Sequence, residues 1–331
     1  MTTRKTDVDF PPIVLFRGVT VFIIAPSRLP MTRFDPHSNL EEGLRNLLIE
    51  SGFSKDIPLP SDVPKKWEIF DDVVILPSSA FVSKFWDSVS EPSLWICVAK
   101  SLGVERVFRK GEVEGPTRNP LIEPLLMGPR GGWAVRKENG IRYGYDILRC
   151  MWSAGNVNER RRMREIAKKG ERILDMFAGI GYYTLPSLLA DPSVTVWSCE
   201  WNYAAIEALK WNLDENNVQS QCTVLEGDCM ETVTSLNLKV DRIILGLLPD
   251  ATSAIYAAVG AMSEKGGMIH LHGLAASGEY EHYSNNWISE IQAASNGFEV
   301  HRAAMHRVKS YAPRWDHVVL DVNLIPHYDY E

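Results

Sequence analysis

The chain has 331 residues, 45% of them apolar and 23% charged, with a formal net charge of −7. That is the make-up of an ordinary globular protein of about two domains. No run approaches the ~20 uninterrupted apolar residues of a membrane-spanning helix, so no membrane segment is expected. The five cysteines, Cys97, Cys150, Cys199, Cys222 and Cys229, contain no C-x-x-C pair, which argues against a zinc site and for reduced, buried thiols in the cytoplasm.

Residues 1–60 read as an irregular N-terminal extension. The apolar run 13–25 is broken by Arg17 and lacks the basic lead and small-residue cleavage site of a signal peptide, so it reads as buried strands. Leu40, Leu44, Leu47 and Leu48 have helical spacing and predict a helix over 40–51. The proline-rich stretch from Pro58 to Pro64 reads as a linker. Beyond it the text predicts a strand at 73–77, a buried helix at 94–102, a strand at 104–109 and a hairpin turning at Asn139-Gly140. These make a small α/β domain over 61–150.

A second domain, 151–331, opens with a basic helix over 158–169. Strands at 172–175, 194–199, 222–226, 241–245, 267–272 and 317–323 bracket helical stretches, the clearest at 203–212. Such alternation predicts an open, mostly parallel sheet with helices on both faces. Segments 298–308 and 317–323 are close enough to close it as an antiparallel hairpin. The fold class is α/β, a class I methyltransferase-like (Rossmann-like) sheet after a smaller α/β domain.

The most informative stretch is Ile173-Leu174-Asp175-Met176-Phe177-Ala178-Gly179-Ile180-Gly181, a strand ending in an acid and a glycine turn. Glu200 ends the next strand, 19 residues beyond Gly181, the spacing at which a βαβ unit sets an acid against a ribose. The third fingerprint position is Thr184, not glycine, which disfavours a pyrophosphate. An adenosine without phosphates fits better, and S-adenosyl-L-methionine is the candidate. Asp175 and Gly179–Gly181 are expected to cradle its methionine part, Glu200 to accept both ribose hydroxyls, and Asp228 to accept from the adenine amino group or cap a helix. A turn that merely needs glycine is the plainer alternative.

From Arg130 to Arg172 there are twelve Lys or Arg against five Asp or Glu, a local balance of +7 in an acidic chain. That is the footprint of a phosphate-binding face, or else of a solvated basic helix. Asn156 or Asn158 can cap the helix there. Glu159 suits its first turn, as a dipole-stabilising or ion-pairing residue. Arg160 and Arg164 share a face and suit a phosphate backbone. Arg307 and Lys309 alternate before Tyr311, which can stack on a base. His270 and His272 face one side of a strand, in a strand-end pocket or packing role.

Six segments carry a resemblance: "MWSAGNVNERRRM", "LDMFAGIGYYTLP", "SCEWNYAAIEALKWNL", "LGLLP", "GGMIHLHG" and "RVKSYAPRWDHVVLDV". They are similar to the family that modifies tRNA next to the anticodon, with a guanine-37 N1-methylating branch and a wybutosine-synthesizing branch. The likeness runs from about residue 67 to the C-terminus. Where the methylating branch has an asparagine-leucine-proline motif and an arginine before the basic helix, this chain has Leu245-Gly246-Leu247-Leu248-Pro249 and Ser153-Ala154-Gly155-Asn156, as in the wybutosine branch.

The resemblance implies transfer of the 3-amino-3-carboxypropyl group of S-adenosyl-L-methionine to the tricyclic base of phenylalanine tRNA, in its anticodon loop. The alternatives are methyl transfer to guanine 37 and a non-catalytic tRNA-binding protein with a vestigial cofactor fold. It also implies donor binding by Ser153, Arg160, Asp175, Phe177, Ala178, Gly179, Gly181, Glu200, Asn202, Asp228 and Cys229. The RNA would be met by Arg160, Arg164, Gly246, Leu247, Pro249, Arg307, Lys309 and Tyr311. Glu159 stands at the methylating branch's general-base position. A monomer is compatible with this reading.

Overall fold

The structure, a computed structural model, describes residues 35–114, 119–295 and 297–327; the apolar run 13–25 and most of the predicted extension lie outside them. The helix predicted at 40–51 is α1 (Pro36–Glu50), started by Asp35, whose side chain accepts from the His37 N–H. It buries Leu40, Leu44 and Leu48 against Leu94, Val98 and Val74. The described part of the predicted extension therefore contributes to the core of the small unit. The stretch 58–64 is anchored rather than free: Asp62 accepts from the Val82 and Ser83 N–H groups at 2.8 Å each and from Trp86 Nε1 at 3.2 Å.

Next come β1 (Glu68–Phe70), β2 (Val73–Leu76), α2 (Glu91–Leu102), β3 (Arg106–Glu114) and β4 (Asn119–Leu126), giving a sheet in the order β1-β2-β3-β4. The β2–β3 pair is parallel, with α2 as its crossover. The hairpin follows as β5 (Trp133–Glu138) and β6 (Ile141–Asp146). Asn139 and Gly140 both have positive φ, 51° and 82°, as a two-residue type I′ turn requires. Arg106 is fully buried and ties β3 to this hairpin, pairing with Asp72 and donating to the carbonyls of Gly131 and Trp133 at 2.6 and 2.8 Å.

The remaining elements are α3 (Val157–Ile166), β7 (Arg172–Asp175), α4 (Thr184–Leu188), β8 (Thr195–Glu200), α5 (Tyr203–Glu215), β9 (Cys222–Glu226), α6 (Cys229–Ser235), β10 (Arg242–Leu245), α7 (Ile255–Ala261), β11 (Gly267–Ala276), α8 (Tyr280–Ala294), β12 (Phe298–Ala312) and β13 (Trp315–Pro326). The second sheet runs β12-β13-β11-β10-β7-β8-β9. Its five strands from β11 to β9 are parallel, and β12 and β13 close it antiparallel, as the strand pattern predicts. Two apolar layers cover its faces, and one also takes in Phe70, Val73 and Phe108 of the small unit and Tyr143 and Tyr145 of the hairpin.

Asn212, fully buried on α5, sits at that junction. Its Oδ1 accepts from the Gly144 N–H at 2.6 Å, and its Nδ2 donates to the Ile180 carbonyl at 2.9 Å. One side chain thus spans the hairpin and the glycine turn after β7. None of the helices among the described residues is long and apolar enough to cross a membrane.

Candidate active site

Strand order reverses between β7 and β10, the switch point where open α/β sheets bind ligands. A cleft of about 490 Å3 opens there. It is walled by the turn after β7, by Glu200, by Gly227–Cys229 after β9, by Gly246–Leu248 after β10, by the segment before α3, and by Lys309 and Tyr311 of β12.

The nucleoside end is built from backbone. Gly179 and Gly181 have φ of 55° and 96°, a left-handed path that favours glycine. The turn delivers the Gly179 N–H to Glu200 Oε2 at 2.7 Å. The Trp201 and Asn202 N–H groups donate to Oε1 at 3.0 and 2.8 Å. Burial raises the Glu200 pKa, and these three donors work against that. Of roughly four lone-pair positions on a carboxylate, three are engaged, which leaves about one for a ligand hydroxyl. Asn202 caps α5 by accepting from Ala204 N–H, Asp228 caps α6 by accepting from Met230 N–H at 2.8 Å, and both still line the cleft. Phe177, Cys229, Gly246, Leu247 and Ser153 line it too.

Several expected contacts lie elsewhere. Asp175 is fully buried beneath the turn and does not line the cleft. It accepts from Thr184 Oγ1 at 2.8 Å and from Phe177 N–H at 3.4 Å, and burial pushes its carboxyl up to about 7. It supports the glycine turn instead of touching a ligand. Thr184, which in sequence is only a missing glycine, is its partner and also meets Ser198 Oγ at 2.8 Å. Ala178 and Gly181 belong to the same underlayer: Ala178 N–H donates to the Cys199 carbonyl, and Gly181 packs on Leu185 and Leu209.

Arg160 is 1% exposed. Its Nε and Nη2 grip Glu138 at 2.5 and 2.8 Å, its Nη1 donates to the Ser153 carbonyl at 3.1 Å, and it lies 4.4 Å over the Trp152 ring. With three of its five N–H donors engaged inside the fold, Arg160 does not line the cleft and instead lies under the second depression beside Arg161 and Arg164. Glu159 is corrected likewise: it is buried and held by Arg162 at 2.7 and 2.9 Å, away from the cleft, and so is not placed as a general base. Arg162 continues to Asp321 at 2.7 Å, and Asp321 reaches His270 at 2.6 Å. His272 pairs with His317 at 3.1 Å, and burial holds both imidazoles down at about 3.

Arg164 is exposed and lines a second depression with Arg161 and Asn139. Arg307 pairs with Asp316 at 2.8 Å and lies off the cleft, as does Pro249, whose carbonyl accepts from Leu274 N–H. Asn156 precedes α3 but its side chain caps nothing: Nδ2 donates to Tyr183 OH at 3.3 Å, while Oδ1 is buried without a partner. Sequence reasoning also passed over Tyr182, Tyr183, Met151, Trp201 and Met230, all on the cleft wall. The Tyr182-Tyr183 pair directly after Gly181 is the one local signal for them; Tyr182 OH donates to the Met151 carbonyl.

Comparison with known proteins agrees with this geometry. The family described as TRM5/TYW2 methyltransferase domain matches residues 134–300, and the TYW2 N-terminal domain matches residues 49–131. A tRNA wybutosine-synthesizing protein 2 homolog of Mus musculus is 32% identical over 86% of this chain and 74% of its own length. The tRNA wybutosine-synthesizing protein 2/3/4 of Arabidopsis thaliana is 36% identical over 87% of this chain, which spans only 29% of that longer relative. The crystal structure of Pyrococcus horikoshii TYW2 in complex with MeSAdo is 25% identical with a TM-score of 0.66, covering 86% of this chain and 99% of that one. Matched by one profile over its nucleoside-binding half and by the second over its small unit, the chain belongs to the TRM5/TYW2 family.

Proposed function

We propose that this chain transfers the 3-amino-3-carboxypropyl group of S-adenosylmethionine to the tricyclic guanine-derived base at position 37 of phenylalanine tRNA, releasing 5′-methylthioadenosine. The observation that carries the choice of branch is the wall after β10. A Cβ at Gly246 would lie 3.1 Å from the Tyr183 ring, so a side chain there would have to push that ring aside by a few tenths of an ångström, and the wall carries none. Leu247 and Leu248 leave it apolar. An apolar tricyclic base gains from such a surface at about 25 cal/mol per Å2 buried. An unmodified guanine edge would lose its water partners without replacement.

The donor's sulfonium activates all three attached carbons, and the one held in line with the nucleophile reacts. In the proposed reaction a ring carbon of the base bonds to the methylene carbon of the arm. The methylene–sulfur bond breaks, its electron pair stays on sulfur as a neutral thioether, and the base gives up a proton. The residues present suit an adenosine thioether: a carboxylate with one acceptor position left at Glu200, a second acid at Asp228 and apolar walls. The name and bound MeSAdo of the Pyrococcus horikoshii neighbour support the same reading. Exposed Arg161 and Arg164 of α3, which line the second depression, supply basic groups for the tRNA backbone.

The test is incubation with tRNA carrying the tricyclic precursor and, separately, guanine at position 37, followed by mass analysis of nucleoside and by-product. Methylthioadenosine with the first tRNA alone is expected. S-adenosylhomocysteine and N1-methylguanine from the second would show the methylating branch. Absence of any turnover or nucleoside binding would leave a tRNA-binding protein.

A further inference from the structure

Lys309 is the one Lys or Arg that lines the cleft among the described residues, and it stands at the end away from Glu200 and Asp228. It is not a loosely placed surface cation. Its stem crosses the backbone at Gly155, where a Cβ would lie 2.5 Å from Lys309 Cδ. Its Nζ donates to Ser153 Oγ at 2.6 Å. Beside it Asn156, also on the cleft wall, has Nδ2 on Tyr183 and a buried Oδ1 with no partner. A fixed cation on the wall of a cavity, with an unsatisfied acceptor just beneath that wall, complements a zwitterion. Its carboxylate suits the ammonium, and its amino group suits the amide oxygen, because buried polar groups without partners cost free energy.

Resting on the reading of the cleft as an S-adenosylmethionine site, we propose that Lys309 and Asn156 Oδ1 hold the α-carboxylate and α-amino group of the donor's amino-acid arm. Lys309 is then a donor-binding residue, not a contact to tRNA phosphate. The absence of a side chain at Gly155 leaves the space in which the lysine stem lies. The two acids and the cation give the cleft a polarity that orients adenosine toward Glu200 and the amino acid toward β12. Since the transferred arm carries the zwitterion with it, this end holds the modified base after the thioether is free to leave.

The test uses two unreactive nucleosides that differ by that arm: S-adenosylhomocysteine, which has it, and methylthioadenosine, which lacks it. Calorimetry on the full chain compares wild type with Lys309→Ala, Lys309→Gln and Asn156→Ala. Lys309→Gln keeps a donor for Ser153 but no charge. Loss of a charge-assisted contact predicts an affinity for S-adenosylhomocysteine lowered by about 10- to 100-fold in both lysine variants, with methylthioadenosine changed less than about threefold and serving as the folding control. Equal losses for both nucleosides would overturn the proposal. So would unchanged S-adenosylhomocysteine binding together with a tRNA salt slope lowered by about 0.7–0.9, the signature of a phosphate contact. The branch of the reaction does not enter these binding constants, so failure here is distinct from failure of the product analysis.

Discussion

Glu200→Gln tests the nucleoside site with little change in shape. The wild-type carboxylate takes N–H groups from Gly179, Trp201 and Asn202 at 2.7, 3.0 and 2.8 Å. A glutamine whose oxygen stays with Trp201 and Asn202 turns its NH2 toward the Gly179 N–H, donor against donor. One orphaned amide costs about 1–3 kcal/mol, which denaturant unfolding of the ligand-free chain should read. The free acceptor position for a ribose hydroxyl is on Oε2, the atom that becomes NH2, so that charge-assisted bond is lost, at about 1.5–3 kcal/mol. At about 1.4 kcal/mol per tenfold, binding weakens by roughly 10- to 100-fold. The two losses separate in a cycle that pairs the mutation with removal of the ligand's hydroxyls. Calorimetry would compare adenosine with 2′,3′-dideoxyadenosine in both proteins. Wild type should favour adenosine by about tenfold or more, and the variant by less than about threefold. If the variant discriminates as strongly as wild type, Glu200 does not meet the ribose and the assignment of this end of the cleft falls.

The buried ion pair and the exposed arginines of α3 should behave oppositely. Arg160→Ala strands Glu138 and should lower stability by about 3–5 kcal/mol while leaving the salt slope of tRNA binding intact. Arg161→Ala and Arg164→Ala should each flatten that slope by about 0.7–0.9 at little cost in stability; a slope that changes only for Arg160→Ala would contradict the geometry. Asp175 has a native pKa of about 7 against an ordinary 3.8. The native state therefore binds its proton more tightly than the unfolded chain, and stability falls as pH rises from about 4 to about 7. The melting temperature of Asp175→Asn relative to wild type should rise across that window, and a flat difference would show that the carboxyl is not perturbed. His272 and His317, held at about 3 against 6.5, act with the other sign. Their stability is full above pH 6.5 and is lost as pH falls toward about 3, so His317→Gln should show a shallower acid decline than wild type in the same titration.

What could be read in the sequence was whatever is encoded within one βα unit or one turn. The apolar runs of β7 to β11, the Asn139-Gly140 hairpin and the Gly179, Gly181 and Glu200 spacing are local patterns, and the structure has them where the text puts them. Strand β4 is hidden because Pro120 and Pro124 interrupt it, which is tolerated only because it is an edge strand. Helix α4 has five residues, too few for periodicity to show. Arg160 and Glu159 were misplaced for a different reason. Helical spacing gives the face a residue takes, but not that Glu138 on a hairpin and Arg162 one turn on wait there as partners. Lys309 and Asn156 meet across more than 150 residues of chain, and only the closing of β12 onto the segment before α3 brings them to one cleft.

The amide of Asn212 has a consequence for how the protein can move. It grips Gly144 of the hairpin with one end and Ile180 of the nucleoside turn with the other. A swing of the hairpin away from the second sheet would strip both bonds from buried groups at once. A hinge at a joint near residue 150, which would part the hairpin from the second sheet, is therefore not expected. The Gly144 amide proton is a natural reporter. If hairpin and turn travel as one body, it should exchange with solvent only on global unfolding, and as slowly as the core strands β7 and β10.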